Sequence, residues 1–217
     1  MELGHRFAVC GTAGYGKTFF MKRLFRSHVG TAIFFDTLGV LADLVPYYRT
    51  FKVKPRISAW DYRPIFEHLR TGQKVVLDLS QLVPTERKNF ADGLIVQLLY
   101  KKWASLSLFF DEAHQYVPQK MNIYSYEVLR AVQTGRNNGI TPMGFITQNL
   151  ADVEASVLAN CEAFVVFHTV YNTALKRLEE LFQLDNERWE ELRRIITTLE
   201  IGEFVVYKSG NYTVYRR

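Results

Sequence analysis

A glycine-rich segment near the start of the chain constrains the fold more than any other feature. Residues 7–18 read FAVCGTAGYGKT, so a short apolar run is followed by the pattern G-x-x-x-x-G-K-T. Glycines in such a loop let backbone N–H groups approach an anion, and the next helix points the positive end of its dipole at the same place. The segment therefore predicts a strand, a phosphate-binding loop and a helix over 17–28.

Each residue of this loop has an expected role. Lys17 would reach the β- and γ-phosphates and assist catalysis, and the Thr18 hydroxyl would bind Mg²⁺. ATP and Mg²⁺ are the expected cofactors. The alternative is a plain glycine turn, but a strand before the loop and a helix after it are the context that the phosphate-binding pattern requires. The predicted nucleotide-binding residues are Gly11, Thr12, Ala13, Gly14, Tyr15, Gly16, Lys17 and Thr18.

A second motif is an apolar run that ends in two carboxylates. Residues 106–112 read LSLFFDE. Ligands of parallel α/β sheets bind at the carboxyl ends of the strands, so Asp111 is expected to hold Mg²⁺ and Glu112 to polarise the attacking water. This arrangement indicates hydrolysis, and the alternative is that the two acids only solvate a strand end. His114 is interpreted as a local hydrogen-bonding residue.

A third group of polar residues lies between 129 and 153. Gln148 follows a predicted strand, where it would position the attacking water beside the γ-phosphate. Arg136 ends the preceding helix and could reach the phosphates of a neighbouring subunit as an arginine finger, with Arg130 as its competitor. The alternatives are a polar strand end for Gln148 and, for Arg136, the preference for basic residues at helix C-termini.

Apolar runs rich in β-branched and aromatic residues alternate with amphipathic stretches of helical length. Most of these runs are continuously apolar, which is typical of strands buried on both faces of a parallel sheet. The predicted strands are 6–10, 31–36, 74–79, 105–111, 141–147 and 163–170. The sequence therefore predicts an α/β fold with a mostly parallel sheet flanked by helices.

The segments between and after these strands complete the predicted organisation. Residues 85–103 form an amphipathic helix, 172–199 a long charged helical segment, and 200–217 a β-hairpin that turns at Ser209-Gly210-Asn211. The 217 residues contain no internal repeat and no Gly/Ser linker. One domain over 1–217 is expected.

The apolar runs and the N-terminal sequence argue against a membrane-spanning or secreted protein. No apolar run reaches the roughly 20 residues that a transmembrane helix needs, and the N-terminus lacks a signal-peptide layout, so a cytoplasmic protein is expected. Cys10 and Cys161 match no metal-binding spacing and are expected to be buried thiols. The net charge of +5 mildly favours a polyanionic partner.

Several segments, in the same order, resemble the HerA/FtsK superfamily of P-loop ATPases. Residues 135–153, GRNNGITPMGFITQNLADV, are similar to the family segment in which an arginine and a glycine precede a strand ending in Thr-Gln. The resemblance also includes 74–103, the FFDEAHQYVP segment at 109–118, VLANCEAFVVFHT at 157–169, and Asp36 at the end of the second strand. It covers roughly residues 6–170.

This resemblance implies a RecA-like P-loop NTPase core, a single ATPase domain over 1–217, that assembles as a ring, usually a hexamer. Such rings hydrolyse ATP between subunits and move DNA, or sometimes protein, through a central channel. By position, Lys17 and Thr18 match Walker A, Asp111 and Glu112 match Walker B, Gln148 matches the sensor, and Arg136 is the best match to the trans arginine.

Cellular members of the superfamily carry additional parts, namely a β-barrel, or membrane helices and a winged helix, and none of these is expected within these 217 residues. The chain is closest in build to viral genome-packaging ATPases. The expected function is therefore a motor that pumps double-stranded DNA in the host cytoplasm, with a possible capsid or membrane docking partner. The stretch 47–56, YYRTFKVKPR, is the candidate DNA contact, or else a solvated loop whose aromatic residues are in the core.

Three other functions remain open at this point. The first is an assembly or morphogenesis ATPase that acts on protein. The second is a HerA-like DNA-processing helicase or translocase, and the third is a module in which ATP only orders a ring. DNA-stimulated hydrolysis would separate the DNA motors from the other two.

Overall fold

The computed structural model describes residues 3–41, 48–55, 60–119 and 125–216. Within these ranges nine strands form one sheet. The strands are β1 (Arg6–Cys10), β2 (Thr31–Asp36), β3 (Arg49–Lys52), β4 (Lys74–Asp78), β5 (Leu106–Phe110), β6 (Ile140–Ile146), β7 (Ala163–Val166), β8 (Phe204–Lys208) and β9 (Asn211–Tyr215). Their order across the sheet is β3-β4-β2-β5-β6-β1-β7-β8-β9.

Parallel pairing runs from β3 to β7, and the last two strands, β8 and β9, are antiparallel. β2 and β5 are buried along their whole length because both faces of the sheet are covered there, which explains their continuous apolar sequence. The α/β fold with a mostly parallel sheet and a C-terminal hairpin is therefore confirmed.

Helices cover both faces of the sheet, unequally. They are α1 (Lys17–Ser27), α2 (Arg63–Arg70), α3 (Pro84–Leu99), α4 (Tyr126–Thr134), α5 (Ala155–Ala159), α6 (Asn172–Phe182) and α7 (Asn186–Thr198). The apolar residues of α2 to α7 join one large core cluster, whereas α1 packs through Met21 and Phe25 on the other face. None of the helices in the described ranges has the length and apolar character that crossing a bilayer requires.

The hairpin follows the predicted turn chemistry. Ser209 and Gly210 both have positive φ angles, 51° and 78°, as a two-residue turn between antiparallel strands requires. The expected single helical segment over 172–199 was wrong. It is divided because Gln183 is left-handed with φ 48°, and Asp185 then caps α7 by accepting a hydrogen bond from the Arg188 N–H at 2.9 Å.

Candidate nucleotide-binding site

The loop between β1 and α1 leaves a helix N-terminus without its own cap. Gly16 precedes α1 in the left-handed region, with φ 107°, and neither a side-chain cap nor an acidic residue occupies the first turn. The first N–H groups of a helix have no partner within the helix, and the helix dipole adds positive potential at the same point. This loop is therefore ready to bind an anion.

The loop is fixed by close backbone contacts with the end of β7. Gly11 has φ 137°, and a Cβ there would lie 2.7 Å from the Phe167 Cβ and 2.8 Å from its carbonyl oxygen, so only glycine fits. The Thr12 N–H donates to the His168 carbonyl at 2.7 Å, and the Tyr15 ring stacks on His168 with centroids 4.2 Å apart. The loop shape is therefore set by tertiary contacts as well as by its glycines.

Lys17 reaches back across the loop. Its Nζ donates to the carbonyl oxygens of Gly11 at 2.5 Å and Thr12 at 2.9 Å, and the side chain is buried. Burial lowers the pKa of this ammonium group, while the nearby acids Glu112 and Asp111 act in the opposite direction. Because carbonyl oxygens already hold the ammonium over the loop, the oxygens of a bound phosphate could take their place.

The two predicted acids lie buried beside the loop. Asp111 and Glu112 follow β5, and Glu112 takes a left-handed conformation with φ 49°. Burial, together with the charges of Glu112 and Asp36, raises the pKa of Asp111 to about 7. Asp111 Oδ2 and Glu112 Oε2 are buried and accept no hydrogen bond from the residues that the structure describes. Such orphaned oxygens are unusual in a folded interior.

A divalent cation fits these orphaned oxygens. Thr18, Asp111 and Glu112 line one cavity of about 360 Å³ together with Lys17. Across the described ranges, no three His, Cys, Asp or Glu side chains are arranged to hold a metal by themselves. A magnesium site can use one or two protein ligands, with phosphate and water completing its coordination.

Gln148 lies beside Glu112. The Nε2 of Gln148 donates to Glu112 Oε1 at 3.1 Å, and both residues line the cavity. His114 Nδ1 lies 3.3 Å from Glu112 Oε2 without forming a hydrogen bond to it, so the local hydrogen-bonding role of His114 stays a prediction. The structure thus brings Lys17, Thr18, Asp111, Glu112 and Gln148 to one edge of the sheet.

Sequence analysis missed a buried pair that holds the Asp111 backbone. The Thr37 hydroxyl donates to the Asp111 carbonyl at 2.7 Å, and Tyr116 OH lies 2.9 Å from the Thr37 Oγ1. Both side chains are fully buried, and burial raises the pKa of the Tyr116 hydroxyl. A signal for Thr37 was present, because it is a polar residue directly after a predicted strand at the carboxyl edge.

We expect Thr37→Val to destabilise the protein by about 1–3 kcal/mol, because the Asp111 carbonyl and the Tyr116 hydroxyl both lose their buried partner. Thr37→Ser keeps the hydroxyl and should retain most of the stability. Urea denaturation of the two variants compares them directly. A loss of stability in Thr37→Ser with little loss in Thr37→Val would show that the methyl group, rather than the hydroxyl, is what matters.

Asp36 does not point into the cavity between the loop and the acids. Its two carboxylate oxygens accept hydrogen bonds from the backbone N–H groups of Val40 at 3.0 Å and Leu41 at 2.9 Å. The residue that resembles the family's second-strand aspartate therefore anchors the segment after β2. That segment contributes Leu38 and Val40 to the cavity wall.

The two candidate arginines, Arg130 and Arg136, do not line the cavity that contains the acids. Arg136 is exposed in a 3-10 turn, Gly135–Asn138, just before β6, so it is beyond the end of α4. No hydrogen bond or ion pair engages its guanidinium among the residues that the structure describes, whereas Arg130 lies 3.3 Å from Glu127. The seven residues of β6 separate Arg136 from Gln148, so the two lie at opposite ends of this strand. At about 3.3 Å per residue, this places them on the order of 20 Å apart.

The basic stretch 47–56 is only partly available to a ligand. Tyr48 packs against Phe25 with ring centroids 5.2 Å apart, and Phe51 packs against His68 at 5.5 Å. Both rings are half-buried and pack against the core. Arg49, Lys52 and Lys54 are exposed along and after the edge strand β3. Tyr47 and Arg56 lie outside the described residues.

Comparison with solved structures places this architecture among known folds. The genome-packaging NTPase B204 of Sulfolobus turreted icosahedral virus 2, in complex with AMPPCP, superposes with a TM-score of 0.68 at 16% identity, covering 100% of this chain and 98% of that chain. This chain shares its fold. VirB4 of Thermoanaerobacter pseudethanolicus gives a TM-score of 0.61 at 10% identity, covering 96% and 88% of the two chains.

A third match is EssC of Geobacillus thermodenitrificans, with a TM-score of 0.55 at 13% identity over 97% of this chain and 39% of that chain. No protein-family model and no curated protein sequence matches the chain. At identities of 10–16% these matches show a shared fold, an α/β sheet architecture of the same kind as in B204, VirB4 and EssC.

Proposed function

We propose that this protein is an ATP-hydrolysing motor that moves double-stranded DNA, as a viral genome-packaging ATPase does. The observation that carries the proposal is the convergence of Lys17, Thr18, Asp111, Glu112 and Gln148 on one cavity beside an uncapped helix N-terminus. B204, described as a genome-packaging NTPase, has the same fold over nearly its whole length, which supports the choice of DNA packaging.

The proposed chemistry uses these residues in separate roles. The loop N–H groups and the Lys17 ammonium bind the phosphates, and Thr18 and Asp111 hold Mg²⁺, which supplies charge neutralisation for the phosphates when it is bound. Glu112 accepts a proton from the attacking water while the water oxygen bonds to the γ-phosphorus and the bond to the β-γ bridging oxygen breaks. Gln148, already bonded to Glu112, orients that water.

Lys17 is the one cation that lines the cavity among the residues that the structure describes, and we assign a second cation, Arg136, to a neighbouring subunit. Arg136 is exposed at the amino edge of the sheet, so it cannot reach the site of its own chain. In a head-to-tail arrangement, the end of the sheet where the parallel strands begin in one subunit faces the end where they finish in the next. A repeated contact of this type forms a ring when the rotation between subunits closes. We propose a hexamer built in this way.

Double-stranded DNA is the proposed substrate because of the charge on the protein. The net charge is +5, and Arg49, Lys52 and Lys54 present exposed cations at the sheet edge formed by β3. Lysine and arginine on a free edge bind phosphates without reading bases, which suits a motor that must act on any sequence.

The test is ATP turnover with and without linear double-stranded DNA at low salt. We expect DNA to stimulate turnover several-fold, and the stimulation to fall steeply as salt rises because phosphate contacts release counterions. The double variant Lys52→Ala/Lys54→Ala should lose part of the stimulation and keep its basal rate. Lys176→Ala, which removes an exposed cation from α6, is the matched control.

The proposed substrate would be contradicted if the ATP turnover rate were the same with and without DNA at every salt concentration and no DNA binding were detectable. Stimulation by a protein of the assembling particle in that case would indicate the assembly ATPase instead.

A further inference from the structure

The short turn that carries Arg136 is held by a side chain from another segment. We name Gly135–Asn138 the arginine turn, and residues 100–105, which join α3 to β5, the α3–β5 loop. The Nζ of Lys102, an exposed residue of this loop, donates to the Asn137 carbonyl at 2.6 Å. A hydrogen bond from a charged donor is stronger than one between neutral groups. Lys102 therefore restrains the residue next to Arg136, and sequence analysis gave it no role.

Backbone contacts hold the next two residues of the chain. The Trp103 N–H donates to the Asn138 carbonyl at 2.9 Å, and the Leu106 N–H donates to the Gly139 carbonyl at 2.9 Å. Gly139 is left-handed, with φ 75°, and a Cβ there would overlap the Trp103 carbonyl oxygen, so only glycine fits. Three successive carbonyl groups at the end of the arginine turn are therefore held by one short segment.

The α3–β5 loop is itself anchored in the core. The Trp103 indole N–H donates to the Leu98 carbonyl of α3 at 3.0 Å, and its ring stacks on Phe66 of α2 with centroids 6.2 Å apart. The Nζ of Lys101 lies over the same Phe66 ring, 4.1 Å from its centroid. The loop therefore gives the arginine turn a rigid support. Of its two lysines, Lys102 bonds to the turn and Lys101 faces the ring.

Two paired strands connect this support to the catalytic residues of the same chain. β5 starts directly after the α3–β5 loop and ends directly before Asp111. β6 starts one residue after the arginine turn and ends two residues before Gln148. The two strands pair in parallel, and β5 is buried along its whole length. Groups supported by strands and packed neighbours are held more precisely than groups on free loops. The arginine turn therefore has a defined position relative to the sheet.

We propose that Lys102 is a positioning residue for ATP hydrolysis, because its bond to the Asn137 carbonyl keeps the arginine turn in the conformation that presents Arg136 to the neighbouring subunit. The inference rests on the proposed trans role of Arg136. An arginine on a short turn acts on the γ-phosphate only if the turn stays in place, since a displacement of about 1 Å can cost about 10²-fold in rate. Of the three contacts, the one from Lys102 can be removed by substitution, because the other two donors are backbone N–H groups.

Steady-state ATP turnover in Lys102→Met tests the proposal, because methionine keeps the length of the side chain and removes the donor. We expect kcat to fall about 10- to 100-fold and KM for ATP to stay unchanged, since the phosphate-binding loop and Lys17 are intact. Lys102→Arg keeps a charged donor and should retain most of the wild-type rate. Lys101→Met is the matched control. It removes the adjacent charge, which faces Phe66 rather than the turn, and should keep the wild-type kcat.

A second background shows whether Lys102 acts through Arg136. Adding Lys102→Met to Arg136→Ala should lower turnover no further, because the group that Lys102 positions is already gone. Urea denaturation of Lys102→Met should give nearly wild-type stability, since substitutions at exposed positions usually change it little. A purely structural contact would instead lower stability and leave kcat unchanged.

Three results would overturn the proposal. Wild-type kcat in Lys102→Met would show that the turn does not need this contact. An equal loss in Lys101→Met would trace the effect to the charge or stability of the α3–β5 loop. A loss by the same factor with and without Arg136 would show that Lys102 acts independently of it. Failure of the trans arginine itself, which would overturn both proposals, looks different: Arg136→Ala would then hydrolyse ATP at the wild-type rate, whatever the effect of Lys102→Met.

Discussion

Replacing Arg136 with alanine should lower the rate of ATP hydrolysis at least about 10³-fold, which is the lower end of what an arginine finger contributes. The expected cause is loss of positive charge beside the γ-phosphate in the transition state. The side chain is exposed and makes no contact through its guanidinium among the described residues, so its removal should leave the fold and nucleotide binding intact. Steady-state turnover and ADP titration measure the two effects separately.

The matched control for this variant is Arg130→Ala. Arg130 is also exposed, lies six positions earlier in the chain, and pairs with Glu127 of its own chain at 3.3 Å. We expect turnover in Arg130→Ala to stay close to that of the wild type. A large loss in Arg130→Ala together with a small loss in Arg136→Ala would assign the trans role to the other arginine.

The Glu112→Gln variant should lose about 10²- to 10⁴-fold in hydrolysis rate, because an amide cannot take the proton from the attacking water. ATP binding should persist, since the loop and Lys17 are unchanged. The amide can still bond to Gln148, so the geometry of the strand end should survive. Glu180→Gln, on an exposed part of α6, is the control for loss of a negative charge.

If Glu112→Gln hydrolysed ATP at the wild-type rate, Glu112 would not be the base, and the proposed catalytic role of the buried acid pair would be contradicted. Loss of hydrolysis with full biological activity would favour the module in which ATP only orders a ring. These two outcomes are distinguished by measuring turnover and packaging in the same preparation.

The sequence predicted the site through features that are local in the chain. The glycines and Lys17 define the loop, and Asp111 and Glu112 end a continuously apolar strand. Parallel strands bring their carboxyl ends to one edge, so residues far apart in sequence could be placed together before any contact was known. Gln148 was predicted on the same basis, and it lies 3.1 Å from Glu112.

Features that depend on contacts between distant segments were not predictable. The Thr37 bond to Asp111 joins residues 74 positions apart, and nothing in the sequence pairs the two. The groove between α1 and the C-terminal hairpin forms where α1, among the described helices, packs alone on its face of the sheet. The division after α6 depends on the left-handed Gln183, although Asp185 two positions later is a residue type that favours a helix start.

The central claim is that each ATP site is completed by a neighbouring subunit, and mixing two inactive variants tests it most directly. Lys17→Ala cannot bind the phosphates, and Arg136→Ala lacks the trans arginine. A random 1:1 mixture in a head-to-tail ring would contain intact sites at about one quarter of its interfaces. We predict that the mixture regains a corresponding part of wild-type turnover. A mixture no more active than the two variants measured separately would contradict the shared site.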